Sequence, residues 1–307
     1  MSLACCAYLL QLVSTANDAS AVSAPGKHLV STGWQQTAAK MLSGFDDRGM
    51  MHKASPKRRY VVEHLRHLAS SRELLNGTGY DLYEFGVFTG GGLKAWVDEF
   101  ASNNIVFGHI YGFDSFQGLP ESDLSRHSPH LVPSVANSWK KGGINTADQL
   151  SSILGTKAYD LPTVIDYVTE SIGYPRERTH LIPGFFNESL GSLTVGTQRS
   201  AKPLKYAASN GRRLRPAMLV DIDCDIYDAT VEALSWMIEQ SLLVVGSVVY
   251  FDDWLHEGEG ERKAHVELTK KYGIEWKVLF NYHTPVHTAS DLSDEHTLRP
   301  GRCARGL

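Results

Sequence analysis

Cysteine is scarce in this chain: its 307 residues include only Cys5, Cys6, Cys224 and Cys303. Their spacing matches neither a zinc site nor a disulfide framework, so they read as ordinary thiols of a reducing, cytoplasmic compartment. Positive charge is not in excess either. The net charge of −4 and a pI near 6.3 leave no basic footprint for nucleic acid. Long apolar runs are also missing: the N-terminal stretch at residues 3–13 falls well short of the ~20 residues a membrane span needs. Small residues follow at 19–24, as in a cleavable signal, but the basic start is absent and a docking helix is the expectation. The dinucleotide fingerprint G-x-G-x-x-G is lacking, and no Lys-Ser/Thr pair follows the glycines as a phosphate loop requires.

What is present is enough for one domain whose core needs no disulfide or metal. No internal repeat or low-complexity linker divides it. We expect an extension over residues 1–55, a domain over 56–290 and a tail over 291–307. Helical periodicity covers 56–75, 93–100, 161–172, 229–240 and 259–272, with a short turn or helix at 187–193. Strand-like runs occupy 80–88, 105–114, 178–183, 216–225, 244–253 and 275–282. Such alternation predicts an α/β fold, a doubly wound, mostly parallel Rossmann-like sheet with helices on both faces. The ligand site then lies outside the carboxyl ends of the strands. Two polar stretches, 118–155 and 194–215, read as lid insertions; the first carries Trp139, the second a basic cluster that ends at Arg215.

Two of the apolar runs end in acids: Asp221, Asp223 and Asp225 close one, Asp252 and Asp253 the other. On neighbouring parallel strands these carboxylates crowd one small volume, and a hard divalent cation, Mg²⁺ or Mn²⁺, suits an all-oxygen donor set. Side-chain period alone places Asp221, Asp223 and Asp225 on one face. If the strand ends early, Asp225 is free to cap the next helix or orient a ligand, and Asp221 to pair with an arginine. Helix capping and solvated charge are the plain alternative for the whole cluster. Upstream, Glu84-Phe85-Gly86-Val87-Phe88-Thr89-Gly90-Gly91-Gly92 follows a strand and opens a helix, so a ligand can approach the backbone closely. Asp114 ends the next strand, where it is able to accept hydrogen bonds from ribose hydroxyls.

Glu84-Phe85-Gly86-Val87 with its glycines is followed in order by Tyr111-Gly112-Phe113-Asp114-Ser115-Phe116-Gln117-Gly118-Leu119-Pro120. Next come Asp223-Cys224-Asp225-Ile226-Tyr227-Asp228-Ala229-Thr230 and Phe251-Asp252-Asp253-Trp254. This series resembles the TylF-like (macrocin O-methyltransferase) family of class I S-adenosylmethionine-dependent methyltransferases, over about residues 80–282. The chain departs from the family at 243–247, where a Pro and a Gly-Gly pair are usual, and by one added residue between Asp223 and Asp252.

The resemblance implies that Glu84, Phe85, Gly86, Val87, Gly90 and Gly91 hold the methionine part of S-adenosylmethionine. It sets Asp114, Ser115 and Phe116 against ribose and adenine. It gives Asp223, Asp252 and Asp253 to the cation, with Asp223 also as general base. The implied reaction is methylation of a hydroxyl on a small molecule, commonly a sugar of a glycosylated natural product. A cation lowers the pKa of such a hydroxyl and a carboxylate removes its proton. Two other functions compete: a metal-dependent hydrolase such as a phosphoesterase, and a catalytically silent binder of cofactor. Neither a nucleic-acid nor a membrane partner is expected, whereas self-association is compatible with the chain. His127, His130, His256, His283 and His287 read as loop imidazoles, with His256 a candidate substrate contact. Trp139 and Trp254 read as covers for cofactor or substrate, or as packing.

Overall fold

The computed structural model describes residues 7–14, 56–121, 140–154, 160–192, 214–254 and 260–282. In chain order the elements are β1 (Ala7–Ser14), α1 (Pro56–Ser70), β2 (Asp81–Phe85), α2 (Gly91–Ser102), β3 (Ile110–Asp114) and α3 (Thr146–Leu154). They continue with α4 (Leu161–Ile172), β4 (Thr179–Pro183), the single turn α5 (Phe186–Ser189), β5 (Ala217–Ile222), α6 (Tyr227–Glu239), β6 (Val248–Phe251), α7 (Gly260–Tyr272) and β7 (Glu275–Tyr282). The strands form one seven-stranded sheet in the order β4-β3-β2-β5-β6-β1-β7. Strands β2 to β6 pair in parallel, while β1 runs antiparallel to β6 and β7. The expected α/β, doubly wound architecture is therefore present.

Period-two alternation explains how both faces of the sheet are covered. Leu82, Ile110, Leu219 and Val248 join the core on one face, against Trp96 and Phe100 of α2 and Val164 and Val168 of α4. Tyr83, Phe85, Tyr111, Phe113, Val220 and Phe251 face the other way, against Leu234 and Met237 of α6. Helix α2 buries Leu93, Trp96, Val97 and Phe100, spaced as one helical face. Asp160 caps α4 by accepting the Thr163 N–H, and Gly173 ends that helix in a left-handed conformation.

Two expectations are corrected here. The N-terminal apolar stretch is no docking helix: Ala7–Ser14 is a strand with both edges paired. Leu10 and Leu12 are buried, and Gln11 between them is buried too, its Nε2 donating to the Glu73 carbonyl at 2.7 Å. A short run apolar on both faces carries no period by which helix and strand can be told apart. The first polar stretch is likewise more than a lid. Its last part is α3, whose Leu150 is buried in the core cluster. Trp139 and the second insertion, apart from Leu214 and Arg215, lie outside the described residues, as do His127, His130, His256, His283 and His287. No described helix is long and apolar enough to cross a membrane.

Behind β6, His265 of α7 is buried among the rings of Phe251, Trp254 and Trp276. Burial, reinforced by the nearby Arg262 charge, lowers its pKa to about 4. The native state thus refuses a proton that the unfolded chain accepts below pH ~6.5. Stability is full above that pH and falls as the pH drops toward 4, by on the order of 3 kcal/mol from this residue. Urea unfolding at pH 7 and pH 4 should show that loss in the wild type, and His265→Phe should lack that part of it.

Candidate active site

Backbone hydrogen bonding carries on past the strand ends and aligns four segments side by side. Gly86 N–H donates to Phe113 O, Asp223 N–H to Phe85 O, and Asp252 N–H to Ile222 O, at 2.9, 2.9 and 3.0 Å. Gly184 N–H donates to Asp114 O at 2.9 Å. Asp114, Gly86, Asp223 and Asp252 therefore stand at the carboxyl ends of adjacent parallel strands, where an open α/β sheet places its ligands.

Gly86 has a φ of 95°, and a β-carbon there would stand 1.8 Å from the Asp223 carbonyl oxygen. No other residue type permits that approach between the glycine loop and the acidic strand end. Gly90, in the left-handed region, caps α2 and packs on Val168, Ser171 and Ile172 of α4. Gly91 is different, because a β-carbon there would meet nothing within 4 Å. Glu84 and Phe85 lie within β2 and are fully buried. Phe85 stacks on Phe113 in the core, so only its backbone borders the site; Glu84 sits in register with Gly112 and Asp221. Val87 is buried as well.

Asp114 binds the glycine loop directly. Its Oδ2 accepts the N–H groups of Val87 and Phe88 at 2.8 and 2.7 Å, and its Oδ1 accepts that of Phe116 at 2.6 Å. Burial raises its pKa while these three bonds oppose the rise. A carboxylate offers about four acceptor positions, so these three bonds leave one in reserve. Ser115 turns its hydroxyl inward, donating to Gly118 O and accepting from Gln117 N–H. Phe116 is buried at a φ of 56°.

Helix α3 frames both loops, which the sequence reading missed. Thr146 donates to Phe88 O at 3.3 Å, and Asn145 donates to Gln117 O at 3.0 Å while accepting the Asp148 N–H as helix cap. Gly118 lets Leu119 exchange backbone hydrogen bonds with Gly142 and Gly143. The polar cap and the small residues between Gly142 and Thr146 were the available clue.

At the acidic end the five aspartates separate into two environments. Asp221 is fully buried on the α2 face, and its Oδ2 accepts a short hydrogen bond from the Trp96 indole. Its identified partner is thus an indole N–H, where an arginine was the expectation. Asp225 does not cap α6: Ile226 holds that position, and Asp225 bends out of strand geometry at a φ of 63°. Asp223, Asp225, Asp252 and Asp253 are half-buried together. The Asp225 carboxyl hydrogen-bonds that of Asp253, and burial followed by the Asp253, Asp223 and Asp252 charges drives its pKa far up. Asp252 Oδ1 accepts the Tyr250 hydroxyl at 2.7 Å.

A further acid, not anticipated from the sequence, is Glu261 in the first turn of α7. It is fully buried, its Oε2 accepts the Asp253 N–H at 3.2 Å, and its Oε1 has no hydrogen-bond partner. Burial and the charges of Asp253, Asp223, Asp225 and Asp252 push its pKa up. An all-oxygen donor set with one orphaned buried oxygen fits a hard cation chemically. Among the described residues, however, no three carboxylate, imidazole or thiol groups are already gathered as a ligand set. Trp254 is buried against Phe251 and His265, which makes it packing.

No family model and no curated protein matches the chain. Among solved structures it is similar to the calicheamicin methyltransferase CalS11, with a TM-score of 0.44 and 19% identity over 81% of this chain and 91% of that one. It is also similar to the O-methyltransferase NovP, with a TM-score of 0.38 and 16% identity over 71% and 72% of the two chains. The methyltransferase PaMTH1 of Podospora anserina, solved with SAH bound, gives 0.32 and 13% over 80% and 82%.

The two glycines should respond oppositely to a methyl group. Gly86→Ala forces Asp223 away and should cost about 3 kcal/mol or more in urea unfolding. Gly91→Ala fills open space in the first turn of a helix and should leave stability unchanged or raise it by up to about 1 kcal/mol.

Proposed function

We propose that this protein is a class I S-adenosylmethionine-dependent O-methyltransferase that acts on a hydroxyl of a small molecule, a sugar or a glycosylated natural product. The observation that carries the reading is the alignment of the glycine loop and Asp114 with Asp223 and Asp252 on four consecutive parallel strands. The resemblance of the same four segments to the TylF-like family supports it. A hydrolase would use the acidic end alone and leave the braced glycine loop without a role.

In this reading the cofactor lies over Gly86, Val87, Gly90 and Gly91, with its ribose toward Asp114 and its adenine toward Ser115 and Phe116. Gly91 supplies the open approach, and Asp114 keeps the loop in place through its three backbone hydrogen bonds. Asp223, Asp252 and Asp253 would hold the divalent cation. S-adenosylmethionine supplies an electrophilic methyl, and the cation supplies a lower acceptor pKa and a fixed acceptor orientation. Asp223 would accept the hydroxyl proton on a carboxylate oxygen, leaving the acceptor oxygen free to take a methyl group. The close contact at Gly86 keeps that base beside the methyl donor. Two of these acids rest on local donors, Asp252 on the Tyr250 hydroxyl and Glu261 on the Asp253 N–H. A cation that gathers the carboxylates would offset their mutual repulsion.

Calorimetric titration with S-adenosylhomocysteine should show one binding site, and a flat titration of folded protein would refute the assignment. Gly91→Ala should weaken that binding by about tenfold, because a methyl now occupies the approach. Asp223→Asn should reduce methyl transfer from radiolabelled S-adenosylmethionine by about 100-fold or more while cofactor affinity stays within a few-fold. Full activity in Asp223→Asn would remove it as the base.

A further inference from the structure

The geometry points to Glu261 as a direct ligand of the cation, a fourth carboxylate joining Asp223, Asp252 and Asp253. This rests on the cation reading proposed above and goes beyond the strand-end acids. Glu261 lies eight positions after Asp253 and belongs to a different element, α7. Its side chain is fully buried, although a glutamate in the first turn of a helix ordinarily reaches solvent. One oxygen explains part of that burial: Oε2 accepts the Asp253 N–H and fixes the head of the side chain at the acidic strand end. The other, Oε1, is enclosed with no hydrogen-bond partner.

A buried carboxylate oxygen without a partner costs more than a neutral group would. Around it, the charges that act on Glu261 come from Asp253, Asp223, Asp225 and Asp252, all of one sign. Of the next cations on the same helix, Arg262 lies over the Trp254 ring and Lys263 over Tyr227. A divalent cation bound between the strand ends and Oε1 meets that oxygen's unmet demand and pins α7 to the ends of β5 and β6. The ion would then order the helix as well as the acceptor.

Binding of MnCl₂ to the full chain, followed by the electron paramagnetic resonance of free Mn²⁺, tests this with wild type and Glu261→Gln. Glutamine retains an oxygen for the Asp253 N–H, so a purely structural Glu261 predicts equal affinity. The expected result is one site in the wild type and an affinity at least about tenfold weaker in Glu261→Gln. A smaller change overturns the ligand role while the cation reading stands. Absence of Mn²⁺ binding to the wild type overturns the cation reading itself. If Glu261→Gln lacks a cooperative melting transition, a wild-type crystal soaked in MnCl₂ decides. An anomalous peak within about 2.5 Å of Oε1 supports the role, and a peak farther away or none overturns it.

Discussion

The close approach of Gly86 to the Asp223 backbone is the constraint on which this molecule's site depends. Strand pairing alone would bring β2 and β5 together, but a β-carbon at Gly86 would lie 1.8 Å from the Asp223 carbonyl oxygen and pry their ends apart. With glycine there, Asp223 N–H still reaches Phe85 O beyond the last regular pair. The glycine loop and the acidic strand end become one surface, and main-chain contact sets the distance between them.

Around that contact the chain sorts its carboxylates by the donors it provides. Asp114 receives three backbone N–H groups and serves as the brace of the glycine loop. Asp221, one pleat before Asp223, is taken out of the cluster by the Trp96 indole and ties α2 to the sheet. The remaining acids act on one another through their charges, which is costly unless protons or a cation intervene. Local backbone strain marks the same region. Phe88, Phe116 and Asp225 take left-handed φ values of 50°, 56° and 63°, one in each of the loops that leave β2, β3 and β5. Residues held this way persist only where surrounding contacts over-determine them.

Much of the fold was legible because β2 to β7 alternate, or are continuously apolar, between clear turn residues. Leu161–Ile172 and Glu275–Tyr282 coincide with their sequence expectations at both ends. β1 was not legible, since Leu10, Gln11 and Leu12 are all buried by partners far along the chain. A strand that owes its state to β6 and β7 leaves no periodic trace of its own. Helix α3 escaped for a related reason, because its Thr146, Asp148 and Ser151 resemble loop composition although Leu150 reaches the deep core. At the site, residue types and order located the glycine loop, Asp114 and the acidic ends. They did not reveal that the Asp114 carboxylate faces its own loop, or that α7 adds Glu261, since both depend on where elements land in space.

On the proposed reading, a methyl donor and a divalent cation share one small volume across the Gly86–Asp223 contact. The most direct measurement is paramagnetic relaxation of the ¹³C-labelled methyl group of S-adenosylmethionine bound to the protein, with Mn²⁺ as the cation and Mg²⁺ as the diamagnetic control. Strong Mn²⁺-dependent broadening of the bound methyl resonance is expected, abolished in Asp223→Asn. A methyl resonance indifferent to Mn²⁺ while both ligands are bound would contradict it.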